Sequence, residues 1–418
     1  MGEPEQADGG RGLSRRRFFA AAGGGVAAMA LGNLHPLTAE AASPLPPVRG
    51  FNEDWNSVLT SWGTQFGHWA GGPAGSGSVR YVRQVIDWAK VQPTNGGPFD
   101  FTLYWALREN LRAWNTAHPD RPLRILPVCM GCPGWAEPWG YQCPNYWNWC
   151  YEGHDAQFGR FVAETLKYFD APGYQVVDAA EIWNEPNTPE FGAVPYARFA
   201  SLVWNGQYYT GLYQAQGNYS KQMTVFSGGL AMRGPAQRTS TCYPGNDNPP
   251  GESGSMNGWA YDTNLGFVRI PIRWQDYLTG FQTSIQWSTF DIGIHPYSFT
   301  GPSQTTTSQI LALFDEAKNL TVQAPGVPLR NLWVTETGCA SRAPWGVQGQ
   351  KDVLLAVTAG LSQRGRCKAM IVHRMWDSAD PNYPFVPPTS AWSKFGLCDS
   401  ITPDSRKIAY SALQSAWV

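Results

Sequence analysis

The chain has 418 residues, with 31 Lys and Arg against 32 Asp and Glu and a formal net charge of -1. Charged residues make up 15% and hydrophobic ones 43%, which excludes a charged disordered tail and a nucleic-acid binder relying on bulk positive charge. Aromatics are heavy, with 20 Trp, 18 Tyr and 19 Phe, and tryptophan in such excess implies flat faces used for packing or for a ligand.

In chain order, Ser14-Arg15-Arg16-Arg17-Phe18-Phe19 comes first, then an Ala/Gly-rich stretch over 20–32, then Ala39-Glu40-Ala41. An arginine pair, an apolar run and a small-x-small site in this order resemble a twin-arginine export signal. Residues 1–42 are therefore expected to be a cleaved signal, with residues 43–418 a single domain outside the cytoplasm. No later apolar run reaches the roughly 18 residues that span a bilayer, so no stable membrane insertion is expected after cleavage. Eight cysteines suit an oxidising destination. Disulfides that pin loops are expected, with Cys143 and Cys150 the nearest plausible pair. A zinc site over Cys129-x-x-Cys132, Cys143 and Cys150 is the alternative, and spacing alone does not set connectivity.

After the Pro-rich join at 44–47, apolar and β-branched runs occur at 61–66, 79–85, 123–128, 179–184, 223–227, 290–295, 332–335 and 369–373. Helical patterns lie between them at 103–115, 155–168, 196–216, 309–322 and 350–364. This alternation argues for βαβ units and a parallel sheet. The length suits an α/β fold of the (β/α)8 TIM-barrel type with long βα loops. An open doubly wound sheet is the alternative, but no G-x-G-x-x-G follows the first strand. The segment 233–258, rich in Gly, Pro, Ser and Asn, reads as a long loop.

In such a barrel the site lies where strands end and βα loops begin. The residues at those ends are Arg83, Asn184-Glu185, His295-Pro296-Tyr297, Glu336 and Trp376. Glu185 and Glu336 each follow an apolar run and precede a residue that breaks regular structure. Strands four and seven of a closed barrel face one another across its mouth. Two carboxylates there suit acetal cleavage: one keeps a proton for the leaving oxygen, and the other attacks or directs attack at the sugar carbon. Desolvation and mutual repulsion would raise the pKa of the acid.

Trp183-Asn184-Glu185-Pro186 together with Thr335-Glu336-Thr337-Gly338 resembles clan A of the glycoside hydrolases, in particular its cellulase-like and β-xylosidase-like branches. Val79-Arg80-Tyr81-Val82-Arg83, Ile125-Leu126-Pro127-Val128 with Pro133-Gly134-Trp135-Ala136, and His295-Pro296-Tyr297 are similar to the clan's second, third and sixth strands. Phe395-Gly396-Leu397 is similar to its closing segment. The resemblance implies a retaining hydrolase of β-linked glycans that works through a covalent glycosyl-enzyme, without a cofactor. It implies Glu185 as acid/base, Glu336 as nucleophile, and Asn184 at the sugar 2-hydroxyl. It implies Arg83 and Tyr297 as hydrogen-bond donors to Glu336, Trp376 as an aromatic floor, and His295 as a sugar or supporting contact. Arg80 could take the place of Arg83 in a shifted register. The first strand's end has only a weak polar candidate in Phe66-Gly67-His68-Trp69.

Trp135 opens an aromatic third loop, 133–151, which either stacks on successive sugar rings or packs on itself as a lid. A carbohydrate substrate is the partner implied. The same residues leave open a transglycosylase, or a barrel that binds carbohydrate without turning it over. The six histidines show no metal-binding spacing, and neither a phosphate loop nor a G-x-S-x-G elbow is present.

Overall fold

Strand-forming runs and amphipathic helices alternate along the chain and build a ring of parallel strands inside a coat of helices. The structure is a computed structural model and describes residues 48–52, 79–119, 122–136, 154–187, 196, 200, 223–232, 259–262, 266–269, 274–284, 291–297, 303–321, 330–341, 346–373, 397 and 407–416. The strands are β1 (Val48–Asn52), β2 (Val79–Asp87), β3 (Arg124–Met130), β4 (Ala179–Ile182), β5 (Thr224–Ser227), β6 (Leu230–Ala231), β7 (Trp259–Asp262), β8 (Gly266–Arg269), β9 (Ile292–His295), β10 (Leu332–Thr337) and β11 (Cys367–His373). The helices are α1 (Trp88–Val91), α2 (Trp105–Ala117), α3 (Asp155–Phe169), α4 (Trp274–Ser284), α5 (Ser303–Leu320), α6 (Gly346–Ser362) and α7 (Ile408–Ala416).

One sheet runs β5-β4-β3-β2-β1-β11-β10-β9-β6, with every pairing parallel. Its two outer members, β5 and β6, are separated in sequence only by Gly228-Gly229, so they are halves of one bent strand and the ring closes. Closure is seen in the backbone: Ser227 N donates to Asp291 O at 3.2 Å, and Met232 N to His295 O at 3.3 Å. Counting β5 and β6 as one gives eight strands, the (β/α)8 arrangement. β7 and β8 form a separate antiparallel hairpin.

The helices coat the ring because their apolar residues recur at three- and four-residue steps. On α3 the buried set is Phe158, Phe161, Val162, Leu166 and Phe169; on α6 it is Val353, Leu354, Val357 and Leu361. These side chains and the outward residues of the strands make one large apolar layer. A smaller cluster fills the ring itself: Tyr81, Leu126, Ala179, Phe226, Trp333, Ala369 and Ile371, with Val48 against it. Phe226 stacks on Trp333 at 4.3 Å between ring centroids. No helix among the described residues is long and apolar enough to cross a membrane.

Seven of the expected strands match observed ones within a few residues. The eighth is different. The strand beside β2 is β1, directly after the prolines read as a join, and it pairs with both β2 and β11; the expected strand 61–66 lies outside the described residues. Helices α4 and α7 and the β7–β8 hairpin were not anticipated. The signal 1–42, most of the helix 196–216, the loop 233–258 and most of the aromatic loop also fall outside the described residues.

The disulfide expectation fails where it can be examined. Cys129, Cys132, Cys339 and Cys367 are free, buried thiols. Burial pushes the Cys339 thiol up to about 12 and lifts those of Cys129 and Cys367 well above the usual range. They pack in the core as small apolar groups. Cys143, Cys150, Cys242 and Cys398 lie outside the described residues.

Candidate active site

Strand alternation sends every second side chain into the ring. Above the apolar plug, β1 sends in Asn52, β2 Arg83, β4 Glu181, β9 His295 and β11 His373. On β10 the rule is broken to a purpose. Val334 and Thr337, three residues apart, pair with Met370 and Val372, two apart. The extra residue is a bulge, a device that re-aims a side chain. Two consecutive residues, Thr335 and Glu336, therefore both reach interior partners.

Arg83, 1% exposed, is the hub. Its Nε donates to Glu181 Oε2 at 2.7 Å and Nη2 to Glu181 Oε1 at 3.1 Å. Nη2 also donates to Asn184 Oδ1 at 2.8 Å, and Nη1 donates to Glu336 Oε1 at 2.6 Å and Asn52 Oδ1 at 3.1 Å. All five guanidinium donors are thus used, as a buried arginine requires. Burial would push Arg83 down, but the charges of Glu181 and Glu336 more than offset it, so the group stays a cation.

Glu336 is held from several sides. Asn52 Nδ2 donates to Oε1 at 3.2 Å, and the Tyr297 hydroxyl donates to Oε2 at 2.9 Å. His373 Nδ1 stands 3.4 Å and His295 Nδ1 3.8 Å from Oε2. Burial acts to raise this carboxyl. The electrostatic pull of His295, His373 and Arg83, with the Tyr297 hydrogen bond, outweighs burial and holds it well below the usual carboxylate range.

Glu185 sits on a strained turn. Trp183 and Glu185 have φ of 69° and 46°, left-handed values that cost non-glycine residues on the order of 1 kcal/mol or more each. The surroundings compel them. Trp183 N donates to Cys129 O at 2.9 Å, and Glu185 N to Gly229 O at 3.1 Å. Tyr196, fully buried, donates its hydroxyl hydrogen to Ile182 O at 2.6 Å and accepts from Gly228 N at 2.7 Å. Asn187 exchanges two 2.9 Å bonds with Ala231. The turn and the Gly228-Gly229 bend are thereby locked together. A Cβ on Gly228 would lie 2.6 Å from Trp183 O, so the close approach demands glycine.

The outcome is convergence. Glu185 Oε1 lies 3.3 Å from His295 Nδ1, and oxygens of Glu185 and Glu336 and a ring nitrogen of His295 all lie within 4.8 Å of one another. That spacing could also seat a divalent cation, which the histidine spacing in the sequence did not suggest. The guanidinium bonded to Glu336 sets a fixed positive charge against such an ion, and the donor set suits proton chemistry better.

Six expected residues thus meet: Arg83, Asn184, Glu185, His295, Tyr297 and Glu336. Arg80 is not a substitute for Arg83; it is half exposed and pairs with Asp178, which also accepts from the Tyr81 hydroxyl. Trp135 packs edge-on against Trp88 at 5.2 Å and His154 at 5.4 Å, with Nε1 donating to Gln92 O at 3.0 Å. It is built into the base of the third loop, away from the contacts of the two glutamates. Trp376 lies outside the described residues. Three residues of the site were missed: Asn52, Glu181 and His373. Glu181 left a signal, since a charged residue inside an apolar strand needs a buried partner.

The ring and its polar mouth define the chain as a (β/α)8 barrel with a carboxylate pair at the ends of its fourth and seventh strands. No protein-family model matches the sequence, and no curated protein does. Among solved structures the chain is similar to a family 39 glycoside hydrolase from the gut symbiont Bacteroides cellulosilyticus WH2, at 14% identity over 89% of this chain and 64% of that one, TM-score 0.54. It is similar to a GH39 β-xylosidase from Caulobacter crescentus, at 15% identity over 90% of this chain and 72% of that one, TM-score 0.52. A GH5_18 protein from Streptomyces cattleya, solved with GlcNAc, matches at 14% identity over 90% of this chain and 80% of that one, TM-score 0.53. The chain spans slightly under two thirds of the first of these. The likeness is one of fold, and it is the fold that the clan A resemblance implied.

Proposed function

We propose that the protein is a retaining glycoside hydrolase acting on β-linked glycans. The observation that carries this is the carboxylate pair, with oxygens within 4.8 Å. Direct attack by one carboxylate needs about 5–5.5 Å between the two groups, whereas an interposed water needs roughly 6.5–9.5 Å. Glu336, ionised and aimed by Arg83, Asn52 and Tyr297, attacks the anomeric carbon. The bond to the leaving oxygen breaks, and Glu185 supplies the proton. Glu185 then takes a proton from water, which displaces Glu336 and frees the sugar. Arg83 fixes Asn184 by its Oδ1, which turns the amide NH2 to the side that can donate to a sugar hydroxyl. Trp376 belongs to the same reading as a sugar-stacking surface. The arginine pair near the N-terminus supports action outside the cytoplasm.

The acid role is tested by leaving group. Glu185→Ala is expected to lose about 10²–10⁴-fold on glycosides with poor leaving groups and far less on activated aryl glycosides, because only the former need a proton. Equal losses on both would remove the assignment, and a wild-type protein that binds glycans without any turnover would remove the enzyme.

The pH dependence follows from Glu336. The nucleophile works ionised, so activity is lost as pH falls through its pKa. That pKa is depressed, which puts the acid limb of kcat/KM below the ordinary carboxylate range near 4.3. Tyr297→Phe removes a donor to the anion and should raise the acid limb by about one pH unit. An unmoved limb in pH–rate profiles would mean that another group sets it.

A further inference from the structure

Thr335 and His295 lie between two carboxylates at different depths in the barrel, and all of Thr335, His295 and Glu181 are fully buried. Glu181 accepts from Arg83 twice, from Gly229 N at 2.7 Å and from Thr335 Oγ1 at 3.1 Å. A carboxylate in a bidentate pair with a guanidinium can only accept. Thr335 must therefore spend its single hydroxyl hydrogen on Glu181. The Thr335 oxygen is left to accept from His295 Nε2, 3.1 Å away, so Nε2 carries hydrogen. The other ring nitrogen, Nδ1, faces Glu185 Oε1 at 3.3 Å and Glu336 Oε2 at 3.8 Å.

We infer that Glu181, Thr335 and His295 form a buried relay that pins the tautomer of His295, so that one proton is shared across the contact between His295 Nδ1 and Glu185. This rests on the reading of Glu185 as acid/base and says where its proton is kept. The three are positioning residues; none needs to touch the sugar. In the first step the shared proton passes to the glycosidic oxygen, which also takes the electron pair of the breaking C–O bond, while Glu336 forms the new one. In the second, water gives a proton back to the Glu185–His295 pair as its oxygen displaces Glu336. The Nε2 hydrogen stays in place throughout. The opposite tautomer would leave Nε2 with a lone pair, and the single Thr335 hydrogen could then satisfy either Nε2 or Glu181, leaving two lone pairs face to face at the other contact.

Long-range 15N–1H spectra of the intact protein labelled at histidine test this directly. His295 should keep Nε2 protonated at every pH at which the protein is folded, with only Nδ1 gaining or losing hydrogen. A neutral ring carrying hydrogen on Nδ1 would overturn the relay whatever the activity. Thr335→Val keeps the shape and removes the hydroxyl. It should lower kcat by about tenfold on glycosides with poor leaving groups and spare activated aryl glycosides to within about twofold. Thr335→Ser should restore the ratio. A loss equal on both substrates, as a purely structural role predicts, would also overturn it. Glu336→Gln measured alongside keeps the two ideas apart: turnover surviving there removes Glu336 as the nucleophile and with it the proposed double displacement, while the tautomer is still decided by the spectra.

Discussion

Glu336→Gln should lose at least about 10⁴-fold of its glycoside turnover and remain folded. The amide keeps the shape of the carboxylate and can still accept from Tyr297 or Arg83, but it has no anionic oxygen to bond the anomeric carbon. The fold survives because Arg83 does not depend on Glu336 alone. Its Nε and Nη2 remain in the bidentate pair with Glu181. Removing Glu336 thus leaves no unpaired buried charge, the usual source of large losses. Circular dichroism and thermal melts should resemble wild type while rates on any cleaved substrate vanish. Wild-type-like rates would refute the nucleophile.

Gly229→Ala carries the largest expected cost in stability. A Cβ there would lie 2.0 Å from His295 Nε2, 2.3 Å from its Cδ2 and 2.6 Å from Thr335 Oγ1. None of these can retreat, since His295 and Thr335 are fully buried and hydrogen-bonded. Overpacking of this kind costs about 3 kcal/mol. The change also reaches the chemistry, because Gly229 N bonds Glu181 and Gly229 O receives Glu185 N. Gly365→Ala is the control: nothing lies within 4 Å of its added Cβ, and the effect should stay within about 0.5 kcal/mol. Urea titration of the two variants decides it, and equal midpoints would mean that the Gly228-Gly229 bend is looser than described.

The readable part of the site was that in which position and chemistry coincide. Glu185 and Glu336 stand at the C-terminal ends of apolar runs, so the geometry of a barrel brings them to one mouth. Arg83, Asn184, His295 and Tyr297 followed for the same reason. Asn52 was hidden because its strand is five residues long, holds Gly50 and follows four residues rich in proline. His373 was read as the end of a strand, yet nothing local tells that it turns inward. The bulge on β10 is invisible to periodicity, which would put Thr335 and Glu336 on opposite faces. The cysteines misled because their pairing was argued from compartment, whereas those described are free thiols sunk in the core.

The plug of Tyr81, Leu126, Phe226, Trp333 and Ile371 seals the ring from below. On the proposed mechanism this makes the protein a one-door vessel. The first product must leave by the opening through which water later arrives. Any alcohol crowding that vestibule competes with water for the sugar-bound intermediate. Traffic at the rim then governs how much substrate is cut and how much is passed to another acceptor, while the floor decides neither.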